Sequence, residues 1–371
     1  MINNYASTMD MTNLLKRLVE CESPSHDKAA VDRVGDLVAA EASRLGAMVE
    51  VQHQTKTGDH ILAHWGEGKG GILLLSHMDT VFPIGTLVNM PFYEKGGKLF
   101  GPGTLDMKGG IVITLNAIAG LRASRQMPSR SITALFTSDE EIGSHTSRAL
   151  IEDLAKDACL VLVLEPGLLD CSLKTWRKGT GDFKVKVRGR AAHAGSDHEK
   201  GVNAIEELAY QIITIQKMTD YSKGTTLNVG VVRGGTVVNV VPDEAEARVD
   251  LRVMQPGEDE RITADMSALE PVLDGTSIEV SGEFNRPPMP FNETMKATFE
   301  KAQGIAARIG IKLKAGGSGG ASDANFVAAL GVPVLDGLGA AGEGLHSERE
   351  YILACSLPER SRLVAALIRD W

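Results

Sequence analysis

The sequence predicts an α/β protein: a mostly parallel sheet with helices on both faces, into which a small α+β domain is inserted. Three observations predict it. Continuous apolar runs at 71–76, 131–137 and 160–164 alternate with helical stretches, as parallel strands buried on both faces do. Near Thr175 the texture changes, and 182–190 reads DFKVKVRGR, an alternation suited to a strand with one face in water. After Asn285-Arg286-Pro287-Pro288 the first texture returns and runs to Trp371.

The elements follow in order. From Met9 to Gly46 apolar residues recur at spacings of three and four (Leu14, Leu15, Leu18; Val31, Val34, Leu37, Val38), interrupted at Ser23-Pro24-Ser25, which predicts a helical pair. Ile111 to Leu121 predicts a further helix. In the changed region the pattern predicts a helix over 202–217, strands over 227–232 and 245–253, a helix over 258–269 and a strand over 276–280. A chain of 371 residues exceeds the roughly 100–200 of one comfortable core, so two domains are expected: 1–177 with 286–371, and 178–285 inserted between them.

Composition narrows the function. Apolar residues at 43% and charged residues at 23% are the balance of a globular chain, and a net charge of -9 argues against a polyphosphate partner such as nucleic acid. No basic segment followed by an apolar stretch opens the sequence, and no run approaches the ~18 apolar residues of a membrane span. A cytoplasmic protein with no membrane partner is expected. Cys21, Cys159, Cys171 and Cys355 are scattered without CxxC spacing and read as buried free thiols.

Chemistry concentrates where apolar strands end. Ser76-His77-Met78-Asp79-Thr80 follows the first such run. Residues two apart in extended chain face one way, so Asp79 can orient the His77 ring as a metal ligand; a strand-end histidine held by a turn aspartate is the plainer alternative. GPGTLDMKGG at 101–110 projects Asp106 from tightly turned backbone, either as a ligand or as a helix cap. It lacks the spacing of a phosphate loop. Thr137-Ser138-Asp139-Glu140-Glu141 and Leu164-Glu165-Pro166-Gly167 repeat the pattern, strands running out on carboxylates. His346 lies in a late polar loop, Gly342 to Tyr351. With His77, Asp106, Glu141 and Glu165 it completes a mixed nitrogen and oxygen set suited to zinc or a similar divalent ion. If two ions sit ~3.5–4 Å apart, one carboxylate must bridge them.

SHMDTV, GPGTLDMKGG, TSDEEIGS, LEPG, AAHAG, NVVP and LHSEREY occur in that order along nearly the whole chain. Together they resemble the zinc-dependent carboxypeptidase and aminoacylase family, which includes glutamate carboxypeptidases, acetylornithine deacetylases and succinyl-diaminopimelate desuccinylases. The resemblance implies two zinc ions per subunit, with cobalt or manganese as substitutes. It places His77 and Glu165 on one ion, Asp106 as the bridge, and Glu141 with His346 on the other. Glu140 becomes the general base acting on metal-activated water, Asp79 the partner of His77, and Asp106-Met107 a cis peptide. The longer domain becomes catalytic and the insert a dimerisation or lid domain.

His193, within Ala191-Ala192-His193-Ala194-Gly195, matches an oxyanion donor acting in its own or a partner subunit's site; a turn histidine at a dimer edge is the alternative. Arg286 matches an arginine that binds the substrate's terminal carboxylate, and Asn239 and Arg252 fall on substrate-side positions, although an arginine on an alternating strand also suits a solvated face. The segment 316–320, GGSGG, permits close backbone approach to substrate or forms a turn. His26, His53, His60, His64, His145 and His198 are expected at the surface.

Glutamate at 165 resembles the carboxypeptidases and deacylases rather than the aminopeptidases. The expected function is therefore a metallocarboxypeptidase, a homodimer, releasing a C-terminal residue such as glutamate or aspartate from a peptide or N-acyl amino acid. An N-acyl amino acid deacylase is the alternative within the family, and a zinc-dependent binding protein without turnover the alternative outside it.

Overall fold

The computed structural model describes residues 8–371. The chain forms two compact units, one built from the residues up to Trp176 with Phe291–Ser318 and Ser322–Trp371, the other from Arg177–Pro290 with Gly319–Ala321.

The first unit is organised by a sheet whose centre is four strands running side by side and parallel: Ile132–Thr137, Gly71–His77, Ala158–Val163 and Val334–Asp336. Antiparallel strands flank them, with Met48–Gln52 and His60–Trp65 on one side and Leu173–Arg177 on the other. In the strand Gly71–His77 every residue after Gly71 is buried, so both of its faces are covered. Ile72, Leu74, Phe136 and Leu162 share a core with Ile113, Val364 and Ile368 from the helices Gly109–Ala123 and Ser356–Asp370. The predicted helical pair forms as Thr8–Glu20 and Lys28–Arg44. Ser23-Pro24-Ser25 between them is more than a break. It lies alongside Met78–Thr80, with a bridge from Pro24 to Thr80 and Ser23 Oγ donating 2.7 Å to the Met78 carbonyl.

Parallel register aligns the strand ends. His77 stands opposite Thr137, and Leu75 opposite Val163, so the segments after Thr137 and Val163 emerge beside His77. This is the carboxyl edge at which open α/β sheets carry their sites.

The second unit is a four-stranded antiparallel sheet in the order Thr226–Gly234, Glu244–Val253, Gly179–Arg188, Ser277–Arg286. The alternation read from the sequence has a direct physical outcome. Phe183, Val185 and Val187 point into a core with Leu208 and Ile215 of the helix Ala204–Gln216 and Ile262 and Met266 of the helix Glu258–Ser267. The opposite face carries charge, with Lys184 paired to Glu246 at 2.7 Å and Lys186 to Glu244 at 3.5 Å.

Two expectations are corrected. His60 is fully buried, because its ring bridges Ser138 Oγ and Thr146 Oγ1 at 3.0 and 3.1 Å, and His64 is half-buried against Thr133. The four cysteines are free but not buried; Cys355 is exposed just before the last helix, whose apolar face begins beyond it. In the segment 316–320, Gly316 and Gly317 are packed against protein: a Cβ on Gly317 would come 1.8 Å from the Trp176 ring and one on Gly316 2.3 Å from Leu168, whereas one on Gly319 would meet nothing within 4 Å. Among the described residues no helix is long and apolar enough to cross a membrane.

Candidate metal centre

Five side chains of the first unit converge at the carboxyl edge of its sheet. Asp106 stands in their middle. Its Oδ1 lies 3.1 Å from His77 Nε2, which is also 3.5 Å from Glu165 Oε1. Its Oδ2 lies 3.3 Å from His346 Nε2, which is 3.4 Å from Glu141 Oε2. One carboxylate therefore faces two separate imidazole and carboxylate pairs. Ligand atoms of His77, Asp106 and Glu141 fall within 4.8 Å of one another, as do those of His77, Glu140 and Glu165. This donor set, two imidazole nitrogens and several carboxylates, fits divalent ions of the zinc type.

Local structure explains each position. Asp106 sits in a turn that Gly103 enters at φ 71°, and the Asp106–Met107 peptide is cis, as the family resemblance implies. The two glycines that follow begin the helix Gly109–Ala123 and let it press on the Glu165 segment: a Cβ on Gly110 would lie 2.2 Å from the Leu164 carbonyl. Glu140 and Glu141 occupy a short 3-10 turn, Glu140–Ile142. Asp139 fixes the far side of that turn by accepting from Thr146 N, Thr146 Oγ1 and Ser147 Oγ at 2.6–2.8 Å. His346 takes the left-handed backbone conformation, φ 57°, which costs energy for a residue with a side chain and aims its ring at Asp106 and Glu141.

Asp79 has a wider reach than the His77 partnership expected of it. His77 Nδ1 is 3.0 Å from the Asp79 carbonyl and 3.4 Å from its carboxylate. The carboxylate also accepts from the Glu140 and Glu141 amides at 3.3 and 3.2 Å and from Ser25 Oγ at 2.7 Å. Fully buried, it ties the histidine strand to the turn of paired glutamates.

The cluster is dense in charge. Burial works against a charged His77, yet hydrogen bonds to Asp106, Asp79 and Glu165 raise its pKa well above the ordinary value. Bonds to Asp106 and Glu141 raise His346 to about 10. Burial would lift Asp106, but the two imidazoles hold it below the usual carboxylate range. Glu141 moves up, through burial and the neighbouring charges of Asp106 and Asp79. Both imidazoles are thus shifted toward their protonated forms by the carboxylates around them.

Sequence reading did not single out Ser25, His60, Lys108 or Glu350. Lys108 is buried and donates 2.8 Å to the Cys21 carbonyl, and its burial lowers it to about 8. Glu350, inside the quoted LHSEREY segment, is fully buried; burial pushes it up to about 7 while amides of the Asp106 turn pull the other way.

The remaining candidates belong to the second unit. Ala192–His193 pairs with Val240–Val241, and the Ala194 amide donates 2.9 Å to the Asn239 carbonyl, so His193 and Asn239 share one ribbon. His193 Nδ1 accepts from the Gly195 and Ser196 amides at 3.0 and 3.1 Å. A neutral ring must then carry its proton on Nε2. Arg252 and Arg286 stand on either side of Thr180 in register. Arg252 is held by Asp250 at 2.9 Å on a half-exposed face, whereas Arg286 is buried and donates 3.2 Å to Asn285.

The sequence pattern of peptidase family M20/M25/M40 matches residues 73–370. The chain belongs to that family. It is similar to carboxypeptidase G2 of Pseudomonas sp. (strain RS-16), with 33% identity in an alignment covering 96% of this chain and 88% of that one. It is also similar to acetylornithine deacetylase of Proteus mirabilis (strain HI4320), 29% identical over 96% of each chain. The crystal structure of aminopeptidase PepT from Bacillus cereus superposes with a TM-score of 0.78 at 25% identity, covering 99% of both chains. As a family M20/M25/M40 member the chain is a metal-dependent hydrolase of peptide or related amide bonds.

An imidazole must be neutral to bind metal, and both are raised in the metal-free protein, so metal must displace their protons. The protonated form dominates below the raised pKa values, so zinc affinity is expected to rise with pH from 6 to 8 and binding to release protons. Calorimetry in buffers of differing ionisation enthalpy measures that release; zinc binding with no proton release and no pH dependence would contradict the charge state described.

Proposed function

We propose that the chain is a dinuclear-zinc carboxypeptidase that releases a C-terminal amino acid, glutamate or aspartate, from a peptide or N-acyl conjugate. The observation that carries this reading is the two-way Asp106 carboxylate. His77 and Glu165 with one Asp106 oxygen would hold one ion, and Glu141 and His346 with the other oxygen the second, a set that also accepts cobalt or manganese. Such a pair, when bound, polarises an amide carbonyl and lowers the pKa of water toward ~7.

The protein's own groups do the rest. Glu140, grouped with His77 and Glu165, takes the proton from the attacking water and delivers it to the leaving amine. Asp79 keeps His77 and the Glu140 turn in register through its amide and imidazole contacts. The His193 Nε2–H is a donor for the developing oxyanion, in its own or a partner subunit's site, because both backbone bonds go to Nδ1. The Arg286 guanidinium suits the free carboxylate of the substrate through two parallel charge-assisted bonds, with Asn239 and Arg252 as further substrate-side groups. Similarity to carboxypeptidase G2 over most of both chains supports the carboxypeptidase reading. Similarity to acetylornithine deacetylase over 96% of each chain favours the second reading, an N-acyl amino acid deacylase.

A homodimer is also proposed. The strand Thr226–Gly234 is an edge of its sheet, with Val231 and Val232 45% and 52% exposed, and the helix Ala204–Gln216 exposes Ile205, Tyr210 and Ile213. An apolar edge of this kind is a template for pairing with a second copy.

Purified zinc-loaded protein is expected to cleave acyl-glutamate or acyl-aspartate substrates faster than acetylornithine, succinyl-diaminopimelate or simple dipeptides; no cleavage of any acyl-glutamate or acyl-aspartate would sink the carboxypeptidase reading. Glu140→Ala is expected to lower the rate at least ~100-fold with metal content unchanged, and near-normal turnover would remove Glu140 from its role. In sedimentation velocity the wild type is expected as a dimer and Val232→Lys as a monomer; a fully active wild-type monomer would refute the dimer.

A further inference from the structure

One buried carboxylate joins the segment of Asp106 to that of His346. Glu350 Oε1 accepts from the Leu105 amide at 2.7 Å and the Asp106 amide at 3.1 Å, and Oε2 accepts from the Gly103 amide at 3.3 Å. Three amides of one loop, those of Gly103, Leu105 and Asp106, are thereby gathered on a single anion, as a nest of N–H groups gathers one. Glu350 closes the turn that directly follows His346, its amide donating 3.1 Å to the Ser347 carbonyl, while the Ser347 amide closes the turn holding His346 by donating 3.0 Å to the Gly344 carbonyl. The strand that follows, Tyr351–Leu353, pairs with Lys98–Phe100, which leads into the Asp106 loop. The buried Lys108 supplies a positive charge nearby.

We infer that Glu350 is a positioning residue that sets the spacing between Asp106 and His346, and hence the affinity of the ion shared by Asp106, Glu141 and His346. This rests on the two-ion reading given above. Glu350 reaches His77 only through the shared Asp106, and the positions of His77 and Glu165 come from the parallel strands and from Asp79. Both ions share Asp106 but only one also depends on the His346 segment, so removing Glu350 weakens that ion more than the other. The role is geometric: a glutamine keeps the reach of the side chain and an acceptor for Leu105 and Asp106, whereas an aspartate keeps the charge but is one methylene too short.

The test is zinc titration of the full chain in chelator-buffered solution, with the stoichiometry read by elemental analysis, for wild type, Glu350→Ala, Glu350→Gln and Glu350→Asp. Wild type is expected to bind two ions. In Glu350→Ala and Glu350→Asp the two ions are expected to weaken unequally, one losing affinity ~10–100-fold, the range for groups that orient metal ligands, and the other much less. Glu350→Gln is expected nearer to wild type. Thermal unfolding of the metal-free proteins separates this from a general loss of fold, and should Glu350→Ala not fold, the comparison of Gln with Asp decides. Unchanged binding of both ions in Glu350→Ala and Glu350→Asp, or equal weakening of both ions in step with a lower metal-free melting temperature, would overturn the inference. Fewer than two ions in wild type would overturn the two-ion reading itself and this inference with it.

Discussion

Like charges crowded out of water are the constraint on which the first unit is built. Asp79, Asp106, Glu141 and Glu165 are held together with little access to solvent, and such a group persists only if positive charge and N–H donors reach each member. The imidazoles supply part of this for Asp106, Glu141 and Glu165, and backbone amides supply it for Asp79. Asp79 takes two amides of the glutamate turn, and Asp139 anchors the same turn from behind. The parallel sheet contributes rigidity, since its strands end in register and are packed on both faces.

That arrangement explains why much of the site could be read from the chain. A ligand at the end of an apolar strand leaves a local mark, an apolar run followed at once by a histidine or carboxylate. His77, Glu141 and Glu165 all carry it, and Asp106 carries its own in the surrounding glycines. The α/β class was legible for the same reason, since a strand buried on both faces has no polar alternation. The charged alternation of 182–190 likewise announced a sheet with one open face.

What escaped reading has no local mark. Glu350 and the amides it holds are more than two hundred residues apart in sequence, and Ser25 meets Asp79 across a similar break in locality. Neither pairing is written in spacing or periodicity. His60 looked like a surface histidine because it lies on a strand with no motif around it, yet two hydroxyls from distant segments satisfy its ring in the interior. Gly317 shows the opposite limit. A glycine-rich run announces close approach but not what approaches, and here it is the Trp176 ring.

The order of the segments along the chain has a consequence for biosynthesis. His77, Asp106, Glu141 and Glu165 leave the ribosome before the inserted unit, while His346 and Glu350 follow it. Until His346 and Glu350 are made, the nascent chain holds a partial, strongly acidic ligand set that lacks one imidazole and the brace on the Asp106 turn. Mature coordination can form only once the last strands and helix of the first unit have returned to its sheet. In the two-ion reading, the ion of Glu141 and His346 can therefore be seated only after the inserted unit has been made, whereas His77, Asp106 and Glu165 all precede that unit.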